Sequence, residues 1–246
     1  MRTRILLFGA DTDALLPEID NHPQLQVVDE HPKMVVSYGG DGTLLDAELA
    51  WPGVPKVPIL NSKRGYRCIP HAPAEVLRHL AAGALVSNLY TKIVGVVNQE
   101  ENGKGTQSLV ALNEFNVHMS RINSAVRFKL WLNEDPYDHG VEILGDGFVV
   151  CTPFGSTAYF NQITRGRFTR GIGVAFKATN EHTNHIVLAE DVTVRFRITR
   201  GPAVLALDSS QEYVKLRQND ELVVRKHEPG AIILTCGSVK RFDEPF

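Results

Sequence analysis

A glycine-rich segment near the start of the chain is the first place where residue types and their spacing suit chemistry. The segment VVSYGGDGTLLDAE (35–48) has three glycines and an aspartate between a β-branched run and a run of helix formers. This order predicts a strand, a tight turn at 39–43 and a helix. Glycine backbone can approach a ligand closely, and the free N–H groups at a helix start attract an anion. The turn is therefore a candidate phosphate site.

Two roles for Asp41, inside that turn, are consistent with the segment. In the first, the Asp41 carboxylate accepts the proton of an alcohol, as phosphoryl transfer to a hydroxyl group requires. In the second, the segment is an ordinary strand-to-helix turn and Asp41 caps the helix. The two roles are compatible with each other, so the segment alone leaves both open.

Two later segments carry polar groups that suit a nucleotide. In LNEFNVHMS (112–120), Asn113 and Glu114 are adjacent at a predicted strand end, and together they offer donors and acceptors for ribose hydroxyls or an adenine edge. In GDGFVVCTPFGSTAYFN (145–161), Asp146 lies in a Gly-Asp-Gly turn, and hydroxyl groups crowd a second turn where Tyr159 can pack on a base. Taken alone, each segment also fits an ordinary polar strand end or turn.

The first third of the chain alternates strand and helix signals. Strands are predicted at 5–8, 25–28, 34–38 and in VPKVPIL (54–60), and helices at 11–20, after the glycine turn and in APAEVLRHLAAG (72–83) with Gly83 as its stop. Such alternation predicts a mostly parallel sheet layered on both faces. Ligands of these sheets lie beyond the carboxyl ends of the strands, where 39–43 falls. We predict an α/β nucleotide-binding domain over 1–86.

Beyond residue 86 the pattern changes to strands. The segment VVNQEENGKGTQSLVALNEFNV (96–117) predicts a hairpin, and alternation in VRFKLWLN (126–133) and DVTVRFRITR (191–200) predicts strands with one wet face. Further short strands are predicted at 148–151, 203–207, 213–216, 222–225 and 232–236. We therefore predict an all-β C-terminal domain over 87–246, whose last residues return to pack on the first domain.

Composition and charge limit the function classes. The chain has 246 residues, 43% of them hydrophobic, which suits two moderate domains. A net charge of −2 at pH 7 carries no general signal for nucleic acid or for an anionic membrane, and no run reaches the roughly 20 apolar residues of a membrane span. Three cysteines without paired spacing fit reduced thiols. We predict a soluble cytoplasmic protein that binds neither nucleic acid nor a membrane.

Taken in order, the segments 39–43, 113–114 and 152–159 resemble the signature set of the NAD kinases. The resemblance extends over most of the chain, because HIVLAEDVTVRF (185–196) is also similar to that family's stretch before a late strand. The Thr-Pro-x-Gly-Ser-Thr-Ala-Tyr pattern is its most specific part. The glycine-aspartate motif alone is shared with diacylglycerol kinases, sphingosine kinases and phosphofructokinases.

This resemblance implies an α/β domain followed by a β-rich domain, a homo-oligomer (dimer or tetramer), and transfer of a phosphoryl group from ATP to the adenosine 2′-hydroxyl of NAD, forming NADP. It gives Asp41 the role of catalytic base or orienting group for that hydroxyl. Mg²⁺ is expected to arrive with ATP, since it prefers phosphate oxygens and water to an all-protein cage. The substrate- and nucleotide-binding residues that the resemblance implies are Gly40, Gly42, Thr43, Tyr66, Asn113, Glu114, Asp146, Thr157, Ala158, Tyr159 and Asp208.

Two loops depart from the family's pattern. FNQITRGRFTRGIG (160–173) replaces a small-residue and Gly-Gly-Pro stretch, and NSKRGYRCI (61–69) is one residue shorter than the family's Asn-x-Gly-x-Leu-Gly-Phe loop. These changes bear on the dinucleotide more than on Asp41. Two alternatives to the NAD kinase prediction therefore remain open: a kinase of another small alcohol or lipid, and a non-catalytic NAD(P)-binding sensor. The presence of Asp41 speaks against the sensor.

Overall fold

The computed structural model describes residues 2–63, 65–99 and 105–237. Within these ranges the chain divides into two structural units. The first unit contains the described residues up to Tyr90 and those from Gly230 onward, and the second is Thr91–Pro229. No helix in the described ranges is long and apolar enough to cross a membrane.

The first unit is built on a parallel sheet with strand order β4-β3-β1-β2. Side chains alternate between two buried faces, because Leu6 and Val35 belong to one apolar cluster whereas Ile5 and Val36 belong to another. A parallel sheet that is covered on both faces confirms the predicted α/β fold. The strands are β1 (Thr3–Phe8), β2 (Leu25–Val27), β3 (Met34–Gly39) and β4 (Lys56–Leu60).

Three helices accompany this sheet: α1 (Leu16–Asp20), α2 (Asp41–Ala50) and α3 (Pro73–Ala81). Helix α3 buries one apolar face, and Gly83 follows it with a φ of +65°, as the sequence predicts. The prediction of one helix over 11–20 is wrong, because a separate 3-10 helix, Thr12–Leu15, precedes α1. Pro17 has no N–H and is tolerated only in the first turn of a helix, so a new helix begins just before it.

The second unit is rich in antiparallel strands, as predicted, with a short helix added. Strand β5 begins in the first unit and β17 ends there. The added helix is α4 (Tyr159–Thr164). The strands are β5 (Val86–Asn98), β6 (Thr106–Ala111), β7 (Glu114–Met119), β8 (Val126–Leu132), β9 (Asp135–Pro136), β10 (Ile143–Gly145), β11 (Gly147–Cys151), β12 (Ile172–Lys177), β13 (His185–Leu188), β14 (Val194–Arg200), β15 (Ala203–Leu207), β16 (Val214–Leu216) and β17 (Glu221–Thr235).

The core of the second unit lies between the apolar faces of its strands. Strands β8 and β14 contribute Phe128 and Phe196, and the six-stranded sheet, of order β13-β12-β11-β7-β15-β16, contributes Phe148. The rings of Phe148 and Phe196 stack with centroids 3.7 Å apart. The predicted hairpin strands also pair, from Ile93↔Ala111 to Asn98↔Thr106, while most of their predicted turn, Glu-Asn-Gly-Lys-Gly at 101–105, lies outside the described residues.

The opposite face of the six-stranded sheet carries polar side chains. Register pairs Asn116 with Val149, and Val149 with Ala175, so these three residues share one face. Part of that face is apolar and is covered by Phe160 of α4. The rest, which we call the polar face, comprises Glu114, Asn116, His118 and Lys177.

Two features of the second half differ from the sequence predictions. The strands predicted at 222–225 and 232–236 are parts of one strand, β17, which continues through Pro229 and Gly230. Proline removes a single backbone donor, and a strand tolerates this loss where no neighbouring strand needs that donor. Helix α4 and strands β9, β10, β12 and β13 have no counterpart in the predictions. Six residues are too few for a helical period to be visible in α4.

Candidate active site

The glycine turn lies at the carboxyl end of β3, the edge at which parallel sheets bind ligands. Strand β3 ends at Gly39, Gly40 is extended, and Asp41 is the first residue of α2. Within the described residues no side chain caps α2, so the interpretation of Asp41 as a helix cap is wrong. The start of α2 therefore presents backbone N–H groups to whatever binds there.

The Asp41 carboxylate is oriented by the loop that follows β4. The Tyr66 N–H donates to Asp41 Oδ2 at 2.8 Å, and the Arg67 N–H donates to Asp41 Oδ1 at 2.8 Å. The Cys68 thiol lies 3.7 Å from Oδ1. A carboxylate has about four acceptor sites, so the half-buried group keeps capacity for a hydroxyl proton after these contacts. The backbone contacts therefore position the carboxylate and leave it acceptor sites for a ligand.

The same loop explains how its sequence can vary without moving Asp41. The contacts to Asp41 come from backbone N–H groups, whereas the Tyr66 side chain is 43% exposed and can meet a ligand. Burial lowers the pKa of Arg67 to about 10, with the charges of Tyr90 and Asp41 acting in the opposite direction. Changes of side chain in this shortened loop therefore bear on the substrate more than on the carboxylate.

Two glycines of this turn should respond differently to replacement by alanine. A Cβ at Gly39 would lie 2.8 Å from Thr43 Cβ, so Gly39→Ala should lower the free energy of unfolding by about 1–3 kcal/mol. A Cβ at Gly42 meets nothing within 4 Å, and alanine suits a helix better by about 0.5–1 kcal/mol. If phosphates bind here, Gly42→Ala should weaken ATP binding without loss of stability. Urea unfolding and titration calorimetry check both outcomes. Loss of stability in Gly42→Ala would contradict this prediction.

In the second unit, the second and third sequence segments lie against each other. The Thr152 N–H donates to the Asn113 carbonyl at 2.9 Å, and the Thr152 hydroxyl donates to the Leu112 carbonyl at 2.6 Å. A Cβ at Gly155 would lie 2.6 Å from the Asn113 carbonyl carbon, so glycine is required for this approach. The threonine and glycine of the third segment thus place its turn beside Asn113 and Glu114.

Asp208 fixes the backbone of the second segment. Its Oδ2 accepts the Leu112 N–H at 2.7 Å, and its Oδ1 accepts the N–H groups of Asn113 at 2.8 Å and Glu114 at 3.0 Å. Asp208 has a φ of 42°, a left-handed conformation that aspartate adopts more readily than most residues. Removal from water raises its pKa to about 6, although the three amides and Lys92 act in the opposite direction.

Glu114 is buried beside that carboxylate. Its side chain is 8% exposed, and its Oε2 has no hydrogen-bond partner within the described residues. Removal from water, together with the nearby charge of Asp208, raises the pKa of Glu114 to about 8. A buried carboxyl oxygen without a partner has an energetic cost, which a hydrogen-bonding ligand can offset. Glu114 is therefore suited to bind a hydroxyl or amide group.

The raised pKa of Glu114 makes folding stability depend on pH. The unfolded Glu114 ionises near its ordinary value of 4.5, whereas the folded carboxyl group stays protonated up to about 8. The contribution of Glu114 to stability is therefore greatest at low pH and falls as pH rises towards 8, by at most about 1.4 kcal/mol per pH unit. Between about pH 6 and 8, Glu114→Gln should flatten this fall, whereas exposed Glu212→Gln should not. Urea unfolding measures the slopes, and equal slopes for wild type and Glu114→Gln would refute the prediction.

Two of the remaining predicted residues, Asp146 and Tyr159, lie near the end of β12. The Thr157 hydroxyl lies 3.4 Å from the Phe154 carbonyl, Ala158 is half-buried, and the Tyr159 ring is 39% exposed. The Asp146 N–H donates to the Lys177 carbonyl at 2.9 Å. The Lys177 Nζ lies 5.5 Å from the centroid of the Tyr159 ring. Tyr159 and Asp146 are thus both neighbours of one lysine.

Sequence reasoning missed three residues of the polar face: Asn116, His118 and Lys177. The first two could have been found, because Glu114, Asn116 and His118 alternate with apolar residues in LNEFNVHMS and must therefore share a face with Glu114. Lys177 could not, because its place beside Asn116 depends on a sheet register between distant parts of the chain. No group of three or more metal-ligating side chains occurs in the described part of the chain.

Comparison with known proteins agrees with this arrangement. Residues 112–233, which include Asn113, Glu114, Asp146, Lys177 and Asp208, match the family model of the ATP-NAD kinase C-terminal domain. This part of the chain belongs to the NAD kinase family. The NAD kinase of Picrophilus torridus is 26% identical over 220 residues, which span 85% of this chain and 76% of that protein. The NAD kinase of Wolinella succinogenes is 30% identical over 157 residues, which span 62% of this chain and 48% of that protein.

Two solved structures show that the NAD kinase fold extends over almost the whole chain. Yeast NADH kinase complexed with NADH has a TM-score of 0.82 at 14% identity, and the match covers 95% of this chain and 83% of the yeast chain. An NAD kinase from Archaeoglobus fulgidus in complex with ATP has a TM-score of 0.72 at 17% identity, and the match covers 95% of this chain and 93% of the other.

Proposed function

We propose that this NAD kinase family member transfers a phosphoryl group from ATP to the adenosine 2′-hydroxyl of NAD, forming NADP. The observation that carries the proposal is the Asp41 carboxylate, which two backbone N–H groups hold beside a glycine turn at a helix start. Phosphoryl transfer needs little covalent chemistry from the protein and depends on positioning and charge stabilisation. The ligands named for the yeast and Archaeoglobus structures, NADH and ATP, support these substrates.

The residues divide between the two reactants. At the glycine turn, the backbone of Gly40, Gly42 and Thr43 binds phosphate oxygens, and Asp41 orients the hydroxyl and accepts its proton. On the second unit, Asn113 and Glu114 hydrogen-bond ribose and base. Further dinucleotide contacts come from Tyr66, Asp146, Thr157, Ala158 and Tyr159, whereas Asp208 acts indirectly, by holding the backbone of Asn113 and Glu114. The exposed Tyr66 and Tyr159 rings support this division, since aromatic faces pack on bases.

Mg²⁺ belongs to the proposal as a companion of ATP. The donor set fits this role, because Asp41 is one half-buried carboxylate with spare acceptor sites and has no acidic cluster around it within the described residues. Mg²⁺ keeps several waters and takes one or two carboxylates with substrate phosphates. When bound, it would neutralise charge on the transferring phosphoryl group. Asp41 would then bind the ion either directly, through one carboxylate oxygen, or through a water molecule.

The direct experiment is an assay of NADP formation by the purified protein with NAD, ATP and Mg²⁺. NADP formation that requires ATP supports the proposal. Tight NAD binding in calorimetry without NADP formation would favour the sensor. Absence of both NADP formation and NAD binding would favour a kinase of another small alcohol or lipid. This alternative is considered because the loops at 61–69 and 160–173 depart from the family's pattern.

Assembly and location complete the proposal. We propose a homo-oligomer, dimer or tetramer, which light scattering on the eluted protein measures directly. We also propose a cytoplasmic location, because the spacing of the three cysteines in the sequence fits reduced thiols better than a disulfide framework.

A further inference from the structure

Lys177 is a buried cation to which the proposed function gives no role. Its side chain is 5% exposed, and its Nζ donates a hydrogen bond to Asn116 Oδ1 at 2.6 Å. The Nζ also lies 5.5 Å from the centroid of the Tyr159 ring, and the charge of Asp146 acts on the ammonium group. All four residues belong to the second unit. Tyr159 and Asp146 are two of the residues that the proposed function assigns to the dinucleotide.

The main chain of Lys177 fixes the backbone of Asp146. The Asp146 N–H donates to the Lys177 carbonyl at 2.9 Å. A Cβ at Gly145 would lie 2.8 Å from the same carbonyl oxygen, so glycine is required for this close approach. The turn that carries Asp146 therefore lies against the end of β12. The ammonium group of Lys177 then attracts the carboxylate of the residue whose backbone its carbonyl holds.

The charge of Lys177 has an energetic cost in the folded protein. Removal from water lowers the pKa of Lys177 to about 7, even though the charge of Asp146 acts in the opposite direction. Lysine is rarely buried to this extent, and a methionine of similar length would fill the same space without a desolvated charge. A costly buried charge beside two substrate-binding residues is suited to a role in binding.

We propose that Lys177 is a positioning residue, whose ammonium group holds the Tyr159 ring and the Asp146 carboxylate in the orientation that binds the dinucleotide. The inference rests on the proposed function, because that function assigns both residues to the dinucleotide. A cation over an aromatic face restrains the ring by electrostatic attraction, and the same charge restrains a nearby carboxylate. Lys177 itself needs no contact with the substrate.

Other titratable groups face Lys177 and have to be distinguished from it. Asp146 lies on the β10–β11 connection and Tyr159 on α4. His118 of β7 lies in the same row of the sheet, and His185 lies on the neighbouring strand β13. Arginine at position 177 keeps the charge at every working pH, whereas methionine removes it with similar length. Both variants retain the two histidines, so differences between them report the charge at position 177.

The primary test compares steady-state kinetics and urea unfolding in wild type, Lys177→Met and Lys177→Arg. Lys177→Met should raise KM for the dinucleotide by about tenfold, the order that a desolvated cation–π contact supplies, with kcat changed much less. It should be at least as stable as wild type, because a buried charge is removed and water can reach the half-buried Asn116. Lys177→Arg should retain most of the affinity. A less stable Lys177→Met with a normal KM would mean that the lysine is only structural, and would overturn the inference.

Lys215→Met is the matched control. Lys215 lies in the same row of the six-stranded sheet as Lys177, but on the edge strand β16, and it is exposed. The two methionine variants therefore lose the same charge from the same sheet. KM and kcat of Lys215→Met should stay within about twofold of wild type. An equal rise in KM in both variants would show an effect of net charge alone, which contradicts the inference.

The pH dependence of KM separates the charge of Lys177 from its shape. Because the pKa of Lys177 is about 7, the ammonium group is present below that pH and is lost above it. KM of wild type should therefore rise between about pH 6 and 8. The rise should be smaller in Lys177→Arg, and Lys177→Met should have a high KM throughout. Equal pH dependence in wild type and Lys177→Arg would overturn the inference.

Measurements without turnover keep the inference separate from the proposed function. In protein with ¹³C-labelled tyrosine rings, the Tyr159 signal is the one that Tyr159→Phe lacks. This signal should shift as pH passes about 7 in wild type, and less in Lys177→Arg. An identical response in the two proteins would overturn the inference.

Calorimetry with NAD completes the test. Weaker NAD binding by Lys177→Met than by wild type supports the inference even if no protein forms NADP, and in that case the proposed function alone fails. Equal NAD binding by the two proteins, or no binding by wild type, would overturn the inference.

Discussion

Replacement of Asp41 by asparagine is expected to lower kcat by about 10²–10⁴-fold, the usual contribution of a positioned general base. Asparagine has nearly the same shape and retains one carbonyl oxygen, so it can still accept an N–H from Tyr66 or Arg67. It cannot accept the proton of a hydroxyl group. The interaction lost is one that strengthens in the transition state, so KM for the dinucleotide should change much less than kcat.

The measurement is steady-state NADP formation, with unfolding in urea to show that the variant folds. Asp46→Asn is the matched control, because Asp46 is an exposed carboxylate in the same helix. It should retain kcat within about twofold, as expected for a surface substitution. An Asp41→Asn variant with kcat within tenfold of wild type would show that positioning and metal-bound ATP carry the reaction without this carboxylate.

The position of Asp41 could be predicted because its signals are local. Valines 35 and 36, the glycines of 39–42 and the helix formers after them each favour a structure within a few residues. The strand, turn and helix formed as expected. The segment could not predict which groups position the Asp41 carboxylate. Its donors are the backbone N–H groups of Tyr66 and Arg67, which lie in the loop after β4.

In the second unit, too, contacts between distant parts of the chain could not be predicted from local sequence. Alternation in VRFKLWLN and DVTVRFRITR was sufficient to predict β8 and β14, since each strand has one buried face. The register between strands was not predictable, and it is register that brings Lys177 to Asn116 and Asp208 to the backbone at 112–114. The residues of one segment are enough to predict that a strand forms. The polar face also depends on which strands pair and in which register, and the segment does not contain that information.

Asp208→Ala is expected to lower the free energy of unfolding by about 2–4 kcal/mol. The substitution leaves the N–H groups of Leu112, Asn113 and Glu114 without their acceptor, and each unsatisfied buried group has a cost of about 1–3 kcal/mol. Relief of repulsion with Glu114 offsets part of this loss. Urea unfolding measures the change, with exposed Asp191→Ala as the control of the same type.

Asp208→Asn separates the hydrogen bonds from the backbone conformation. Asparagine tolerates the φ of 42° and can keep Oδ1 as acceptor for Asn113 and Glu114, while its amide nitrogen cannot serve Leu112. The expected loss is therefore smaller, about 1–2 kcal/mol. Because these amides position Asn113 and Glu114, KM for the dinucleotide should rise more in Asp208→Ala than in Asp208→Asn, with kcat affected less. If Asp208→Ala matched wild type in stability and KM, the role of Asp208 in positioning Asn113 and Glu114 would be refuted, since its hydrogen bonds to their backbone would then have no measurable consequence.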